Sequence, residues 1–221
     1  MVPSSDTVLE VDLWRRLPPQ FTLHVARMYL ESTSVAGEEK MLREELIPAA
    51  RRVASIRPEI VVFGCTSAAA LHGLEGDAAI ARRVEMITGC PCITVVQAAT
   101  REISQLGVQN LLVATPYIDE LNNRLRATFE EAGLPVIKVV GLGLDNDLEI
   151  GAVPPAKIQE FVVAAVKATS PAPDCVFISC TTFRAFEAAE ALELQLGIPV
   201  VTSNRSVFRA ILHHSRSDAG G

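Results

Sequence analysis

The sequence predicts an α/β fold of two pseudosymmetric lobes, each a parallel sheet flanked by helices, with the active site in the cleft between the lobes. Two observations lead to this prediction. Short apolar runs alternate with longer amphipathic stretches, and the second half of the chain repeats the pattern of the first half. Continuous apolar strands separated by helices are typical of a parallel sheet that is covered on both faces.

The apolar runs rich in valine and isoleucine are predicted as strands, because β-branched residues favour extended structure. In chain order they are residues 21–26, 60–63, 92–96, 110–114, 135–140, 175–178 and 198–202. Stretches in which apolar residues recur with the period of a helix are predicted as helices. They include residues 39–54, 117–132, 155–169 and 182–196.

An internal repeat relates the two halves of the chain. The segment IVVFGCTS, which contains Cys65, has a counterpart in CVFISCTT, which contains Cys180. Each is followed by a helical stretch, a Gly-x-Pro turn, another apolar run and a final helix. We therefore expect a first lobe over residues 1–107, a second lobe over residues 108–214 and a loose tail over residues 215–221.

Composition and charge exclude several classes of function. The chain has 20 Lys and Arg against 26 Asp and Glu, a formal net charge of −6, so it lacks the basic surface of a nucleic-acid binder. The uncharged run at residues 60–74 is too short and too polar to span a bilayer. The acidic N-terminal segment does not resemble a signal peptide, so we expect a cytoplasmic protein that binds neither nucleic acid nor membrane.

The five cysteines do not form a metal or disulfide pattern. Their number is odd, no CxxC pair occurs and the histidines offer no zinc spacing, so we expect neither a disulfide framework nor a metal site. Cys90, Cys92 and Cys175 lie in or beside apolar runs, which is typical of cysteines that pack as small hydrophobic residues.

Cys65 and Cys180 are the candidate functional residues, because each follows a predicted strand and precedes a predicted helix. Ligands of parallel α/β sheets bind outside the carboxyl ends of the strands, so two facing lobes would bring both cysteines to one cleft. A helix N-terminus lowers the pKa of a thiol and binds carboxylates. The hydroxyl groups that follow each cysteine would add donors. The alternative is that each cysteine merely fits a tight turn.

These residues resemble the aspartate/glutamate racemase superfamily, in its branch of maleate cis–trans isomerases and arylmalonate decarboxylases. The resemblance covers nearly the whole chain and depends on the order and spacing of several short motifs. The motifs are PSSDT from Pro3, GCTS from Gly64, TGCP from Thr88, ATPYID from Ala114, DN at Asp145, IG at Ile150, SCT from Ser179 and GIPVVTSN from Gly197.

The resemblance implies a cofactor-independent enzyme that acts on a small carboxylate. In the maleate isomerase pattern, Cys65 would be the nucleophile that attacks the alkene carbon and Cys180 would be the acid. In the racemase pattern, the two cysteines would be base and acid on opposite faces of one carbon. Tyr117 and Asn146 align with residues that hold the substrate carboxylates. The other residues expected to bind substrate are Ser4, Asp6, Thr66, Ser67 and Thr181.

Two alternatives to an isomerase or racemase remain open from the sequence. One is an arylmalonate decarboxylase-like enzyme, although that pattern keeps only the second cysteine and Cys65 therefore counts against it. The other is a catalytically inactive protein that binds carboxylates in the same cleft. The sequence also leaves open the exact substrate and the oligomeric state, with a homo-oligomer among the alternatives.

The chain departs from the family pattern at two places. Only Met1 and Val2 precede the PSS motif, where the family has several apolar residues, so we expect most of the first strand to be missing. The sequence leaves open whether the natural start lies upstream of Met1. Maleate isomerases have Asn where this chain has Asp6. A carboxylate there would repel a dianion and would favour a substrate with an ammonium group. Alternatively, Asp6 is only a helix cap.

Overall fold

Parallel strands flanked by helices make up both halves of the chain, as a computed structural model that describes residues 1–218 shows. The strands are β1 (Val2–Pro3), β2 (Arg27–Met28), β3 (Val61–Phe63), β4 (Cys92–Thr94), β5 (Leu111–Tyr117), β6 (Val136–Leu144), β7 (Cys175–Ile178) and β8 (Val200–Thr202). All the strand pairs between them are parallel. The predicted α/β class is therefore confirmed.

Helices connect the strands and cover the sheets. They are α1 (Leu9–Arg16), α2 (Val35–Glu44), α3 (Leu46–Ala54), α4 (Thr66–Ala69), α5 (Gly73–Thr88), α6 (Val95–Gln105), α7 (Asp119–Glu131), α8 (Asp147–Ala152), α9 (Pro155–Lys167), α10 (Ala185–Leu196) and α11 (Ser203–Asp218). Within residues 1–218, no helix is long and apolar enough to cross a membrane.

The two halves have the same strand order. In the second half the strands form one sheet in the order β6-β5-β7-β8. In the first half β1 pairs with β2 and β3 pairs with β4. The backbone of Met1 joins these pairs, because its amino group donates to the Val62 carbonyl at 2.8 Å and its carbonyl accepts from the Gly64 N–H at 2.8 Å. The resulting order β2-β1-β3-β4 corresponds strand for strand to the second half.

Equivalent turns also repeat between the halves. Helices α5 and α10 end at Gly89 and Gly197, which have φ values of 73° and 69°. Glycine is favoured in this left-handed conformation because it has no side chain to clash with the backbone. Strands β4 and β8 begin soon after these glycines, so the Gly-x-Pro motif is the turn that returns the chain to the sheet.

Several predicted boundaries were wrong. The strand expected at residues 21–26 forms only at Arg27–Met28. The helix expected over residues 39–54 is divided into α2 and α3, because Pro48 has no N–H to bond the carbonyl of Glu44. The helix expected from residue 182 begins at Ala185. The tail expected from residue 215 continues α11 to Asp218, and residues 219–221 lie outside the described residues.

The helices that follow β4 and β8 begin at equivalent threonines. The Thr94 hydroxyl accepts the N–H of Gln97 at 3.0 Å, and the Thr202 hydroxyl accepts the N–H of Arg205 at 3.1 Å. Thr94 has an additional role, since its hydroxyl donates to the buried carboxyl of Asp77 at 2.9 Å. The other oxygen of Asp77 has no hydrogen-bond partner, so Thr94 supports both a helix and a buried acid.

Replacement of Thr94 is therefore expected to destabilise the fold more than replacement of Thr202. Loss of a threonine cap costs about 1 kcal/mol, which we expect for Thr202→Ala. Thr94→Ala also removes the partner of a buried acid, which adds about 1–3 kcal/mol. Urea unfolding followed by circular dichroism measures both values. Equal losses in the two variants would contradict the role assigned to the Thr94–Asp77 contact.

Candidate active site

The loops that follow β3 and β7 meet at the carboxyl ends of these strands. Cys65 and Cys180 each lie two residues beyond the end of a strand, and both are buried, at 3% and 5% exposure. The Thr181 hydroxyl donates to the Gly64 carbonyl at 3.2 Å, so the residues beside the two cysteines are in direct contact. The loops that carry Cys65 and Cys180 are thus in contact, and the expectation that both thiols act on one substrate stays a prediction.

Ser203, the first residue of α11, is a second link between the two loops. Its hydroxyl accepts the N–H of Cys180 at 3.1 Å and lies 3.0 Å from the hydroxyl of Thr66. Asn204, the next residue, donates to the carbonyl of Thr181 at 3.0 Å and to the carboxyl of Asp12 at 2.8 Å. All of these groups are buried, so water does not compete for their hydrogen bonds, and these bonds hold the two loops in one arrangement.

Cys65 contacts a buried carboxyl group. Its Sγ donates to Oε2 of Glu38 at 3.3 Å and lies 3.5 Å from the hydroxyl of Ser67. The Ser67 hydroxyl in turn donates to Oε1 of Glu38. Burial raises the pKa of Glu38 to about 7, against the lowering effect of the hydrogen bonds from Ser67 and Cys65. Burial and the nearby Glu38 carboxyl raise the pKa of the Cys65 thiol well above its usual value.

The group that interacts with the Cys180 thiol is a phenol, that of Tyr117. Tyr117, at the end of β5, is fully buried, and its hydroxyl lies 3.5 Å from the hydroxyl of Ser179 and interacts with the Cys180 thiol. Burial, with Asp147 nearby, raises the pKa of Cys180. Cys180 also has a φ of 94°, a conformation that costs a non-glycine residue free energy and is concentrated at functional sites.

Two more acidic residues complete the site. Asp147 is buried, and its carboxyl accepts hydrogen bonds from the hydroxyls of Thr33 at 2.9 Å and Ser5 at 2.6 Å. Asp6 is fully buried, and its Oδ1 accepts the N–H groups of Val8 and Leu9, both at 2.9 Å. Asp6 thus caps α1, as the alternative interpretation of the sequence predicts.

The second side-chain oxygen of Asp6 takes no part in the helix cap. Oδ2 is buried and has no hydrogen-bond partner. Burial raises the pKa of Asp6, the N–H groups of Val8 and Leu9 lower it, and the Asp147 carboxyl raises it again. Because Asp6 also raises the pKa of Cys180, the helix cap lies within the electrostatic environment of the second thiol.

Comparisons with known proteins show the family to which the chain belongs. The sequence model of the family described as arylmalonate decarboxylase matches residues 15–220. The chain belongs to the arylmalonate decarboxylase family. It is 29% identical over 193 residues to arylmalonate decarboxylase of Bordetella bronchiseptica, with 87% of this chain and 80% of that protein covered. It is 25% identical over 226 residues to maleate isomerase of Geobacillus stearothermophilus, with coverages of 96% and 88%.

Solved structures also match over nearly the full chain. A crystal structure of a double mutant of arylmalonate decarboxylase in its liganded form has a TM-score of 0.88 and 27% identity, with 96% of this chain and 89% of that chain covered. The family membership and the fold that the sequence motifs implied are both confirmed. The relatives of this chain are enzymes, and they include both a decarboxylase and maleate isomerases.

One expectation about the cysteines was wrong for this member of the family. Helix N-termini were expected to lower the pKa of both thiols, but burial raises the pKa of each. Helix α4 has only four residues after Cys65, and α10 begins five residues after Cys180, so neither thiol faces the start of a long helix. Single backbone N–H groups, of Ala68 and Thr182, oppose the rise only in part.

The remaining residues predicted to bind substrate have other partners in this structure. Asn146 is exposed, and its side-chain oxygen accepts the N–H groups of Leu148 at 2.9 Å and Glu149 at 3.2 Å, so it caps α8. The hydroxyl of Ser4 accepts the N–H of Leu30 at 3.1 Å. The expected contacts of Asn146 and Ser4 with substrate therefore stay predictions, whereas Asp147, adjacent to Asn146, lies within the site.

Sequence reasoning missed Glu38, Asp147 and Ser203. Glu38 did have a signal, because it lies on the same face of α2 as the buried Met41 and Leu42, where a charged residue is unusual. Asp147 follows the DN motif and Ser203 lies within the GIPVVTSN motif, and no periodicity separates either residue from its neighbours. Within residues 1–218, no group of three or more His, Cys, Asp or Glu side chains has a geometry that could hold a metal ion.

Proposed function

We propose that this protein is a cofactor-independent isomerase or racemase that acts on a small carboxylate with Cys65 and Cys180. The observation that carries the proposal is the pair of thiols at equivalent positions of the repeat, whose loops contact each other directly through Thr181 and Gly64. Both thiols influence the pKa of Tyr117, so the phenol lies close to each of them. A small substrate bound there would have one thiol on each side.

The two thiols have environments that suit different roles. Cys65 donates to a carboxyl group that could accept its proton, whereas Cys180 interacts with a phenol of raised pKa. In a racemase, Cys65 would remove the proton on one face of a carbon next to a carboxylate and Cys180 would supply a proton on the other. In an isomerase, Cys65 would add to an alkene and Cys180 would deliver the proton. Both reactions need the cysteines on opposite faces of one substrate.

The charge of the site supports a substrate with an ammonium group. Glu38, Asp147 and Asp6 are all buried beside the thiols, and Asp147 raises the pKa of the other two acids. Whenever these acids are ionised, a dianion such as maleate would be repelled, whereas an amino acid would bring a compensating positive charge. We therefore favour an amino-bearing carboxylate over a dicarboxylate without an amino group.

A second candidate function is decarboxylation of a substituted malonate, in which Cys180 alone protonates an enediolate. The family match and the 29% identity to arylmalonate decarboxylase favour it. Release of carbon dioxide from an arylmalonate by a Cys65→Ser variant would support this candidate. Absence of release by the wild-type protein would remove it.

Substitution of either cysteine is expected to abolish turnover. Cys65→Ser and Cys180→Ser replace a thiol by a hydroxyl of much higher pKa, so we expect at least a 10²-fold loss in kcat, the usual contribution of a positioned acid or base. The assays are loss of optical activity from single enantiomers of small amino acids and conversion of maleate to fumarate. Cys90→Ser is the matched control, because Cys90 is half-buried and lies outside the site. Full activity in either site variant would exclude the two-cysteine mechanism.

Asp6→Asn is expected to change which substrate is preferred. Asn retains the oxygen that caps α1, and Asn and Asp are equally good caps, so stability should change little. Removal of the negative charge should weaken use of an amino-bearing substrate and improve binding of maleate-like dianions, each by about tenfold, which corresponds to about 1.4 kcal/mol. Competition between the two substrate types, measured as the ratio of kcat/KM values or inhibition constants, reports the change.

The control for this variant is Asp119→Asn, which removes an exposed acidic residue at the start of α7. It should leave the preference between substrates unchanged. If Asp6→Asn behaves in the same way, Asp6 serves only as a helix cap and does not contribute to substrate choice.

A further inference from the structure

Glu38 is a buried carboxyl group that neither the repeat nor the family motifs account for. It lies on α2, is 0% exposed, and bonds residues of the site with both of its side-chain oxygens. Oε2 accepts the hydrogen bond of the Cys65 thiol at 3.3 Å, and Oε1 accepts that of the Ser67 hydroxyl. Buried carboxyls are rare because the loss of hydration is costly. Both oxygens of this carboxyl accept hydrogen bonds, one from the Cys65 thiol and one from the nearby Ser67 hydroxyl. The carboxyl is therefore placed to act on the thiol.

The two cysteines differ in this respect. The hydrogen-bond acceptor of the Cys65 thiol is a carboxyl group, whereas Cys180 interacts with the Tyr117 phenol. A carboxylate can take up a proton near neutral pH, and a buried phenol of raised pKa cannot. The pseudosymmetry of the two lobes is thus broken at the point where one thiol has to lose its proton.

We propose that Glu38 is the proton acceptor of Cys65, so that the thiol and the carboxyl act as a dyad. This inference rests on the proposed function only in that the thiolate is the species that attacks or deprotonates substrate. The S–H bond of Cys65 breaks, the electron pair stays on sulfur, and the proton bonds to Oε2 of Glu38. After turnover the Glu38 carboxyl releases its proton to solvent. The cysteine that gave its proton to the substrate takes a proton from solvent and becomes a thiol again.

Electrostatics favours transfer within the dyad over loss of the proton to solvent. Deprotonation to solvent would place a thiolate beside a Glu38 carboxylate, with Asp147 also raising the pKa of the thiol. Transfer to Glu38 leaves the total charge of the pair unchanged, since one negative charge moves from oxygen to sulfur. Burial brings the pKa of Glu38 to about 7, which is the range in which a group exchanges protons most effectively at neutral pH.

The variant Glu38→Gln distinguishes two roles of Glu38, proton acceptor or charged neighbour, because each role predicts an opposite change in the reactivity of the Cys65 thiol. If Glu38 acts only through its charge, the neutral variant lowers the pKa of Cys65 and the thiol becomes more reactive. If Glu38 accepts the proton, the variant loses the acceptor and Cys65 becomes less reactive. The measurement is the rate of alkylation of Cys65 by iodoacetamide from pH 6 to pH 9, quantified on the Cys65 peptide by mass spectrometry.

We expect the wild-type rate to rise through an inflection near pH 7 and the Glu38→Gln rate at pH 8 to be at least tenfold lower, without that inflection. The matched control is Glu39→Gln. Glu39 is the next residue of α2, with a side chain that is 39% exposed and bonds His72 at 2.8 Å, so its profile should follow the wild type. Circular dichroism and thermal unfolding verify that each variant is folded.

Two further variants keep the test decisive if Glu38→Gln folds poorly. Glu38→Asp retains a carboxyl at a greater distance and should give an intermediate rate. Ser67→Ala removes the donor to Oε1, so the pKa of Glu38 and the inflection should both move to higher pH. Equal or faster alkylation in Glu38→Gln, an unmoved inflection in Ser67→Ala, or no alkylation of Cys65 in the wild type would each overturn the proposal.

This experiment is independent of the proposed function because it requires no substrate. A reactive dyad in a protein that turns over neither amino acids nor maleate would contradict the proposed function and leave the inference standing. Turnover that survives Glu38→Gln, with unchanged alkylation, would contradict the inference and leave the proposed function standing.

Discussion

The contact between the loops after β3 and β7 is the interaction on which the site depends. Parallel sheets place their strand ends at one edge, but only direct bonding between the loops fixes two thiols from distant parts of the chain in one place. The Thr181 hydroxyl on the Gly64 carbonyl provides one bond, and Ser203 links Cys180 to Thr66. Because these groups are buried, loss of one bond leaves a polar group without a partner, which keeps the arrangement rigid.

The same burial determines the chemistry of the site. Removal from water raises the pKa of both thiols, so a group nearby that can take the proton favours formation of a thiolate. Glu38 lies beside Cys65 in the position that such a group would occupy. Asp147 and Asp6 add two further buried acidic side chains to this region.

The lobes and the two cysteine loops could be predicted from the sequence. The contact between Glu38 and Cys65 and the pKa of the thiols could not, for physical reasons. The repeat around Cys65 and Cys180 indicates two related lobes and one cleft, because local strand patterns and turns such as Gly89 and Gly197 are encoded by neighbouring residues. Glu38 lies 27 residues before Cys65, and only the packing of α2 against the loop brings them together. The pKa of the thiols was predicted with the wrong sign, because burial depends on the whole fold and outweighs local helix ends.

The most direct test of this account is proton exchange in deuterium oxide, followed by proton NMR over small amino acids and dicarboxylic acids. We expect wild-type protein to replace the hydrogen on the carbon next to a carboxylate of an amino-bearing substrate, and we expect Cys65→Ser not to do so. Exchange that proceeds unchanged without Cys65 would contradict the central claim that two thiols act on opposite faces of one substrate.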